Sequence, residues 1–124
     1  MFDNLGPSLY DFLKDNDYKP FALHEVRRLT AQLLTAVAFL HDVTVVHTDI
    51  KPENILLVSG ECVDGNDKDY FRSDTTKVGV RKRPKSLSIR LIDFGSATFD
   101  HKYHTRIVST RHYRAPEVLL EMAW

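Results

Sequence analysis

Cysteine, long apolar runs and an excess of either charge are scarce in this chain of 124 residues. Cys62 is the single cysteine, which excludes an intramolecular disulfide and favours a reducing compartment. The longest nearly apolar run, Ala31 to Leu40, has about half of the ~20 residues that a membrane-spanning helix needs. Lys+Arg and Asp+Glu number 17 each, so neither a polybasic arm nor an acidic tail can be the basis of function. No basic-then-apolar signal sequence opens the chain, and we expect one soluble intracellular domain.

Apolar residues, which make up 43% of the chain, follow a helical period in two early segments. The first predicted helix runs from about Leu9 to Asn16, and Pro20 lies beyond its end. The second runs from His24 to His41 and carries one continuous apolar stripe, which we expect to pack into the core. The stripe comprises Val26, Leu29, Leu33, Val37 and Leu40.

Short β-prone runs and one long polar segment make up most of the remainder. We predict strands at Val43–Val46, Ile55–Val58 and Ile89–Ile92, and a helix that begins near Pro116, because proline is favourable in a first helical turn. The segment Ser59–Ser88 is acidic in its first part, basic in its second, and has no sustained period. We therefore predict a long polar insertion loop there, either functional or disordered.

Two further stretches have the residue types that phosphoryl transfer requires. His47-Thr48-Asp49-Ile50-Lys51-Pro52-Glu53-Asn54 lies between two apolar runs, and Asp93-Phe94-Gly95 follows a predicted strand. Transfer from a nucleotide needs a carboxylate that orients the attacking hydroxyl, a cation near the γ-phosphate and oxygen ligands for Mg²⁺. Asp49 can be the carboxylate and Lys51 the cation, while Asn54 and Asp93 can supply the metal-ligand oxygens. Taken singly, Asp49 could also be a cap, Lys51 a solvated charge and Asn54 a stabiliser of a bend.

In this order, and with Ala115-Pro116-Glu117 downstream, the motifs resemble the catalytic loop, the metal-binding DFG and the APE of protein kinases. Thr48 stands where most of these kinases have arginine. Together with that threonine, the segments Phe2–Phe12, Ile92–Phe99 and Ser109–Arg114 resemble the LAMMER, or CDC-like, kinases. Those are dual-specificity enzymes that phosphorylate serine/arginine-rich splicing factors in the nucleus.

The resemblance implies an α+β, protein-kinase-like fold. Residues 1–124 would be a partial kinase domain that runs from the hinge through the APE segment, mostly the helical start of the C-lobe with short β-strands, and residues 59–88 would be an insertion loop. The implied cofactors are ATP and Mg²⁺, and the implied partners are ATP and protein substrates, above all serine/arginine-rich splicing factors. The resemblance implies a nuclear location and neither a nucleic-acid nor a membrane partner.

The resemblance also assigns roles to residues around the motifs. Phe2 would guard the back of the nucleotide pocket, Thr110 would contact the catalytic loop near Asp49, and His47 would support that loop without taking part in the chemistry. The implied nucleotide-binding residues are Asp3, Leu5, Asp11, Lys51, Glu53, Leu56, Ile92 and Asp93. The implied activation-segment residues are Phe94, Gly95, Thr110, Arg114, Ala115, Pro116 and Glu117.

Two other functions stay open on the sequence alone. The family places a glycine-rich loop, a phosphate-binding lysine and its glutamate partner before the hinge, and this chain contains none of them, so we expect negligible phosphotransfer from residues 1–124 alone. A non-catalytic binding or decoy fragment is therefore an alternative, which the mass of the protein in its source cells would distinguish. The basic stretch Lys77–Lys85 suggests nuclear import or RNA binding, but it lacks interleaved stacking aromatics.

Thr48 yields a first prediction. The arginine usual at this position pairs with a phosphate on the activation segment, and threonine cannot form that ion pair. We therefore expect the full-length protein to keep most of its kinase activity after phosphatase treatment, as measured by transfer of labelled phosphate to a peptide. A large loss of activity would contradict the hypothesis.

Overall fold

The computed structural model describes residues 4–65, 81–122 and 124. Its helices are α1 (Leu9–Asp15), α2 (Leu23–Asp42) and α3 (Pro116–Leu119), with 3₁₀ turns at Pro52–Asn54 and Arg111–Tyr113. Its strands are β1 (Val45–Val46), β2 (Ile55–Leu57), β3 (Cys62–Gly65), β4 (Arg81–Pro84), β5 (Ile89–Leu91) and β6 (Thr98–Phe99). The predicted α+β class is confirmed. The two helices predicted in the first part of the chain correspond to α1 and α2, and each agrees to within one residue at both ends.

Side-chain caps explain where the first two helices begin. The Ser8 hydroxyl accepts a hydrogen bond from the Asp11 backbone N–H at 3.0 Å, which satisfies one of the free donors of the first turn of α1. At the start of α2, the Glu25 carboxylate accepts from the Ala22 N–H at 2.7 Å. The acidic side chains also lie where the helix dipole favours negative charge.

Three antiparallel two-stranded ribbons connect the helices: β1–β6, β2–β5 and β3–β4. In the central ribbon, Ile55 pairs with Leu91 and Leu57 with Ile89. The opening segment runs beside β2, where the Gly6 N–H donates to the Leu57 carbonyl at 2.8 Å. A Cβ atom at Gly6 would lie 2.7 Å from the backbone of the Ser59–Gly60 segment, so this close approach requires glycine.

The apolar core is small and lies between α1, α2 and the β2–β5 ribbon. It consists of the buried side chains of Phe12, Leu29, Ile55, Leu57 and Ile89, with Leu33 packed against it. The predicted stripe of α2 is wrong at Val26, which is 42% exposed. The Gln32 side chain bonds the Leu87 carbonyl and the Ile89 N–H, which ties α2 to β5. The buried positions at the start of α2 are its cap residue Ala22, Glu25 and Leu29, and Val26, about 100° around the helix from Glu25, lies outside that buried face.

The segment Ser59–Ser88 is not wholly a loop, which corrects the sequence prediction. Its two described ends form the β3–β4 ribbon, whose register pairs Cys62 with Pro84 and Gly65 with Arg81. The strands have four residues each, and β3 is largely exposed on both faces, so neither strand has the alternation that would reveal it in the sequence. Residues 66–80 lie outside the described part of the chain.

Hydrogen bonds and ion pairs fasten this ribbon to the helices. The buried Asn16 side chain donates to the Lys82 carbonyl at 3.0 Å and accepts from the Lys82 N–H at 3.1 Å. Arg83 donates to the Glu25 carboxylate at 2.9 Å. Lys85 pairs with Glu61 at 2.9 Å. Two described cations of the predicted nuclear-import or RNA-binding stretch are thus engaged within the fold, and Lys77 lies outside the described residues.

Over the described residues, no helix is both long and apolar enough to span a membrane.

The two ion pairs of the ribbon give a second prediction because they differ in burial. Glu25 is 1% exposed, so Glu25→Ala should leave Arg83 and the Ala22 N–H without this partner and lower the free energy of unfolding by about 2–4 kcal/mol. The matched control is Glu61→Ala, because the Glu61 side chain is 67% exposed and its pair with Lys85 is solvated. That change should cost about 0.5 kcal/mol or less in urea denaturation. Equal losses in the two variants would contradict the assignment.

Candidate active site

The buried side chain of His47, which is 3% exposed, anchors the loop between β1 and the 3₁₀ turn Pro52–Asn54. The Asp49 backbone N–H donates to His47 Nδ1 at 3.2 Å, so the ring proton lies on Nε2, which donates to the Ile92 carbonyl at 3.0 Å. The Phe94 ring meets the imidazole edge to face, with centroids 4.9 Å apart. His47 therefore ties the loop to the segment that follows β5.

The Asp49 carboxylate is the centre of the site. Its Oδ2 atom accepts from Lys51 Nζ at 2.7 Å. Its Oδ1 atom accepts from the Thr110 N–H at 2.9 Å and from the Thr110 hydroxyl at 2.7 Å. Lys51 Nζ also donates to Thr110 Oγ1 at 2.8 Å, which closes a ring of three side chains. The structure thus brings together three residues that the sequence assigned to the catalytic loop and the activation segment.

These contacts change the protonation behaviour of both charged groups. Burial alone would raise the pKa of Asp49, but the hydrogen bonds from Lys51 and Thr110 outweigh it and lower that pKa from 3.8 to about 2. The hydrogen bond to Asp49 raises the pKa of Lys51 above its usual value, against a smaller opposing effect of burial. Both charges therefore persist at neutral pH.

Asn54 and Asp93 lie at the same end of the β2–β5 ribbon. The Ile92 N–H donates to the Asn54 carbonyl at 2.9 Å, so Asp93 comes directly after the last bonded pair. Asn54 Nδ2 donates to the Asp49 carbonyl at 2.9 Å, which leaves its side-chain oxygen to face a cation. Asp93 is exposed and has a left-handed backbone, with φ 64°.

Amide and carboxylate oxygens are ligands that suit Mg²⁺, so these two residues fit that ion. Among residues 4–65, 81–122 and 124, no group of three or more His, Cys, Asp or Glu side chains is arranged to hold a metal. Asn54 and Asp93 would therefore need further oxygen ligands to hold the ion, such as those of nucleotide phosphates.

The residues expected around the nucleotide base and sugar are less closely gathered. Leu5, Leu56 and Ile92 are partly buried along the central ribbon. Asp11 is exposed, and its carboxylate accepts from the Ser8 hydroxyl at 2.6 Å. Glu53 has a buried Oε2 atom without a hydrogen-bond partner among the described residues. Asp3 and Phe2, expected at the adenine and behind it, lie outside the described part of the chain.

Thr48 and Ser109 hold the activation segment against the catalytic loop, and Arg114 forms bonds within the segment. The Thr48 hydroxyl donates to the Ser96 carbonyl at 3.0 Å, and the Ser109 hydroxyl donates to the Thr48 carbonyl. Arg114 donates to the carbonyls of Val108 and Ser109, both at 3.0 Å. Sequence reasoning did not single out Ser109 or Ser96, because each acts through a contact with backbone that no local pattern encodes.

The remaining activation-segment residues lie at its two ends. Phe94 is 47% exposed beside His47, and the Gly95 N–H donates to the Asp93 carboxylate at 3.3 Å. Ala115 precedes α3, whose first two residues are Pro116 and Glu117.

A cavity of about 210 Å³ lies between α2, β1 and the activation segment. Its lining includes Val37, Leu40, Thr48 and Tyr113 but none of Asp49, Lys51, Asn54 and Asp93. It is therefore separate from the cluster of charged and amide groups described above.

Comparisons with known proteins agree with this geometry. Residues 4–123 match the family model described as "Protein kinase domain". The chain is 56% identical to serine/threonine-protein kinase AFC1 of Arabidopsis thaliana, over 100% of this chain and 27% of that protein. It is 52% identical to human dual specificity protein kinase CLK2, over 99% of this chain and 23% of that protein. The chain thus spans about a quarter of the length of these two relatives.

A solved structure gives the same answer at the level of the fold. The crystal structure of a kinase domain, 40% identical in sequence, superposes with a TM-score of 0.83. The match covers 97% of this chain and 35% of the other. Because identity and structural likeness agree over nearly the whole chain, the predicted kinase-like fold is confirmed.

The low pKa of Asp49 gives a third prediction. A carboxyl group whose pKa is depressed in the folded state stabilises the fold above its unfolded pKa, and that contribution is lost as pH falls through the folded value. The excess stability of wild type over Asp49→Asn should therefore shrink by about 2 kcal/mol between pH 5 and pH 2. Urea unfolding at several pH values in this range measures it. A difference that does not vary with pH would show that Asp49 titrates normally.

Proposed function

Since the chain belongs to the protein kinase domain family, we propose that the protein transfers the γ-phosphoryl group of ATP to hydroxyl groups of protein substrates. The observation that carries the proposal is the ring of Asp49, Lys51 and Thr110, which holds an ionised carboxylate in one orientation. Such a carboxylate can orient an attacking hydroxyl and accept its proton. The relatives reported above are kinases of the LAMMER, or CDC-like, type, in agreement with the resemblance found in the sequence.

Each residue of the site has one role in this reaction. Asp49 receives the proton of the substrate hydroxyl, and its low pKa keeps it ionised before the substrate arrives. Lys51 places its positive charge beside Asp49, where negative charge gathers on the transferring group. Asn54 and Asp93 would hold Mg²⁺, which neutralises charge on the nucleotide phosphates when bound.

On the nucleotide side, the apolar side chains of Leu5, Leu56 and Ile92 would contact adenine. They lie along the β2–β5 ribbon, whose end carries Asn54 and Asp93, so base and phosphates would follow one edge of the fold. Asp11 and the backbone of Glu53 would lie at the ribose.

For the substrate, we propose serine/arginine-rich proteins, and hence a nuclear site of action. Arginine-rich peptides need carboxylates close to the phosphorylated hydroxyl. The acidic side chain of Glu53 lies in the 3₁₀ turn that closes the catalytic loop, and helix α1 packs against that turn. The Glu53 side chain is half-buried, so the accessible part of its carboxylate could bind a guanidinium group of the substrate.

The fourth prediction tests the activity. In the protein expressed from its full coding sequence, Asp49→Asn and Asp93→Ala should each lower phosphotransfer to a serine/arginine-repeat peptide by roughly a hundredfold or more, because each removes a group that acts in the transition state. The matched control is Asp100→Asn, which changes an exposed acid of the same segment and should leave kcat within about twofold.

The peptide panel separates activity from substrate class. A second peptide, in which alanine replaces each arginine, should be phosphorylated at a far lower kcat/KM. Equal use of both peptides would reject the arginine-rich substrate while leaving the kinase activity in place. Full activity in Asp49→Asn would reject the kinase mechanism itself.

A further inference from the structure

Ser109 adopts a backbone conformation that a serine rarely holds without external support. Its φ is 69°, in the left-handed region, which is strained for a residue with a side chain. Such conformations persist where the surroundings fix them, and they concentrate at functional sites. Ser109 directly precedes Thr110, the residue that bonds Asp49 twice.

Two groups fix Ser109, one on each side. Its hydroxyl donates to the Thr48 carbonyl on the catalytic loop. Its own carbonyl accepts from the Arg114 guanidinium at 3.0 Å, and Arg114 also binds the Val108 carbonyl. Arg114 therefore holds Ser109 from within the activation segment, while the Ser109 hydroxyl bonds this residue to the catalytic loop.

Thr48, on the other side of this contact, has the matching conformation. Its φ is 70°, and its hydroxyl donates to the Ser96 carbonyl at 3.0 Å. The catalytic loop is thus bonded at a single residue to both ends of the activation segment, at Ser96 and at Ser109. All of these bonds join neutral groups, so none of them depends on a phosphate.

We propose that Ser109 is a positioning residue for phosphotransfer, whose hydroxyl fixes the left-handed turn that keeps Thr110 on Asp49. The inference rests on the proposed kinase function and deepens it. Without the hydroxyl, the Thr110 N–H and hydroxyl lose their fixed place on the carboxylate, and Asp49 and Lys51 lose their shared partner. The nucleotide-side residues Leu56 and Ile92 are not part of this contact, so binding of ATP should not change.

The test compares four proteins expressed from the full coding sequence. Ser109→Ala should lower kcat by roughly tenfold or more, since small misplacements of reacting groups cost up to about a hundredfold, while KM for ATP stays within twofold. Ser109→Gly should be equally slow, although glycine adopts this φ without strain. Thr105→Ala removes another hydroxyl of the same segment and should match wild type. Hydrogen exchange of the Thr110 amide should accelerate in Ser109→Ala and Ser109→Gly alone.

Several outcomes would overturn the proposal. A wild-type kcat in Ser109→Ala would do so, and a wild-type kcat in Ser109→Gly would assign the effect to backbone conformation instead of the hydroxyl. If Ser109→Ala does not fold, Ser109→Gly decides, because glycine adopts this φ without strain and also lacks the hydroxyl; a wild-type kcat there contradicts the proposal. If wild type itself transfers no phosphate, the proposed function fails, and exchange at the Thr110 amide still reports on the Ser109 contact.

Discussion

The hydrogen bonds to the Asp49 carboxylate are the interaction on which the arrangement of the site depends. They join two parts of the chain that are 61 residues apart in sequence, and they place one charged group between a cation and a hydroxyl. Burial alone would raise the pKa of Asp49, and the hydrogen bonds from Lys51 and Thr110 lower it instead. The position of the activation segment therefore contributes to how strongly the Asp49 carboxylate is held in its ionised form.

The chain holds the activation segment with hydrogen bonds between neutral groups. An arginine in place of Thr48 would instead need a phosphate on that segment as its partner. Thr48 offers its hydroxyl to Ser96 and its carbonyl to Ser109, so one residue binds the segment at both ends. A hydrogen bond between neutral groups contributes on the order of 1 kcal/mol, less than a bond to a charged group. Two such bonds and the Arg114 contacts together can nonetheless hold a fixed geometry, because each of them constrains backbone instead of a mobile side chain.

The sequence predicted what depends on local pattern and residue type. The 3.6-residue period located α2, and the order of His47–Asn54 and Asp93–Gly95 identified the family. The β3–β4 ribbon was missed because its attachment is made by contacts between residues far apart, such as Asn16 with Lys82, 66 positions away. Ser109 was missed for a related reason, since a left-handed serine has no signature in composition or period. Val26 was misplaced because the buried face at the start of α2 passes through Glu25, a charged residue that a search for apolar periodicity does not count.

Contacts at both of its ends explain how the short helix α1 can support the catalytic loop. Helix α1 has seven residues, well below the roughly 12–15 at which an isolated helix becomes marginally stable. Its first turn is capped by Ser8, which also bridges β2 at Leu56, and Asn16 at its far end binds the β3–β4 ribbon. Each end of α1 is therefore held by a different ribbon, and between these ends it packs against the turn that carries Glu53 and Asn54. The β3–β4 ribbon thus takes part in supporting the active site without contributing a residue to it.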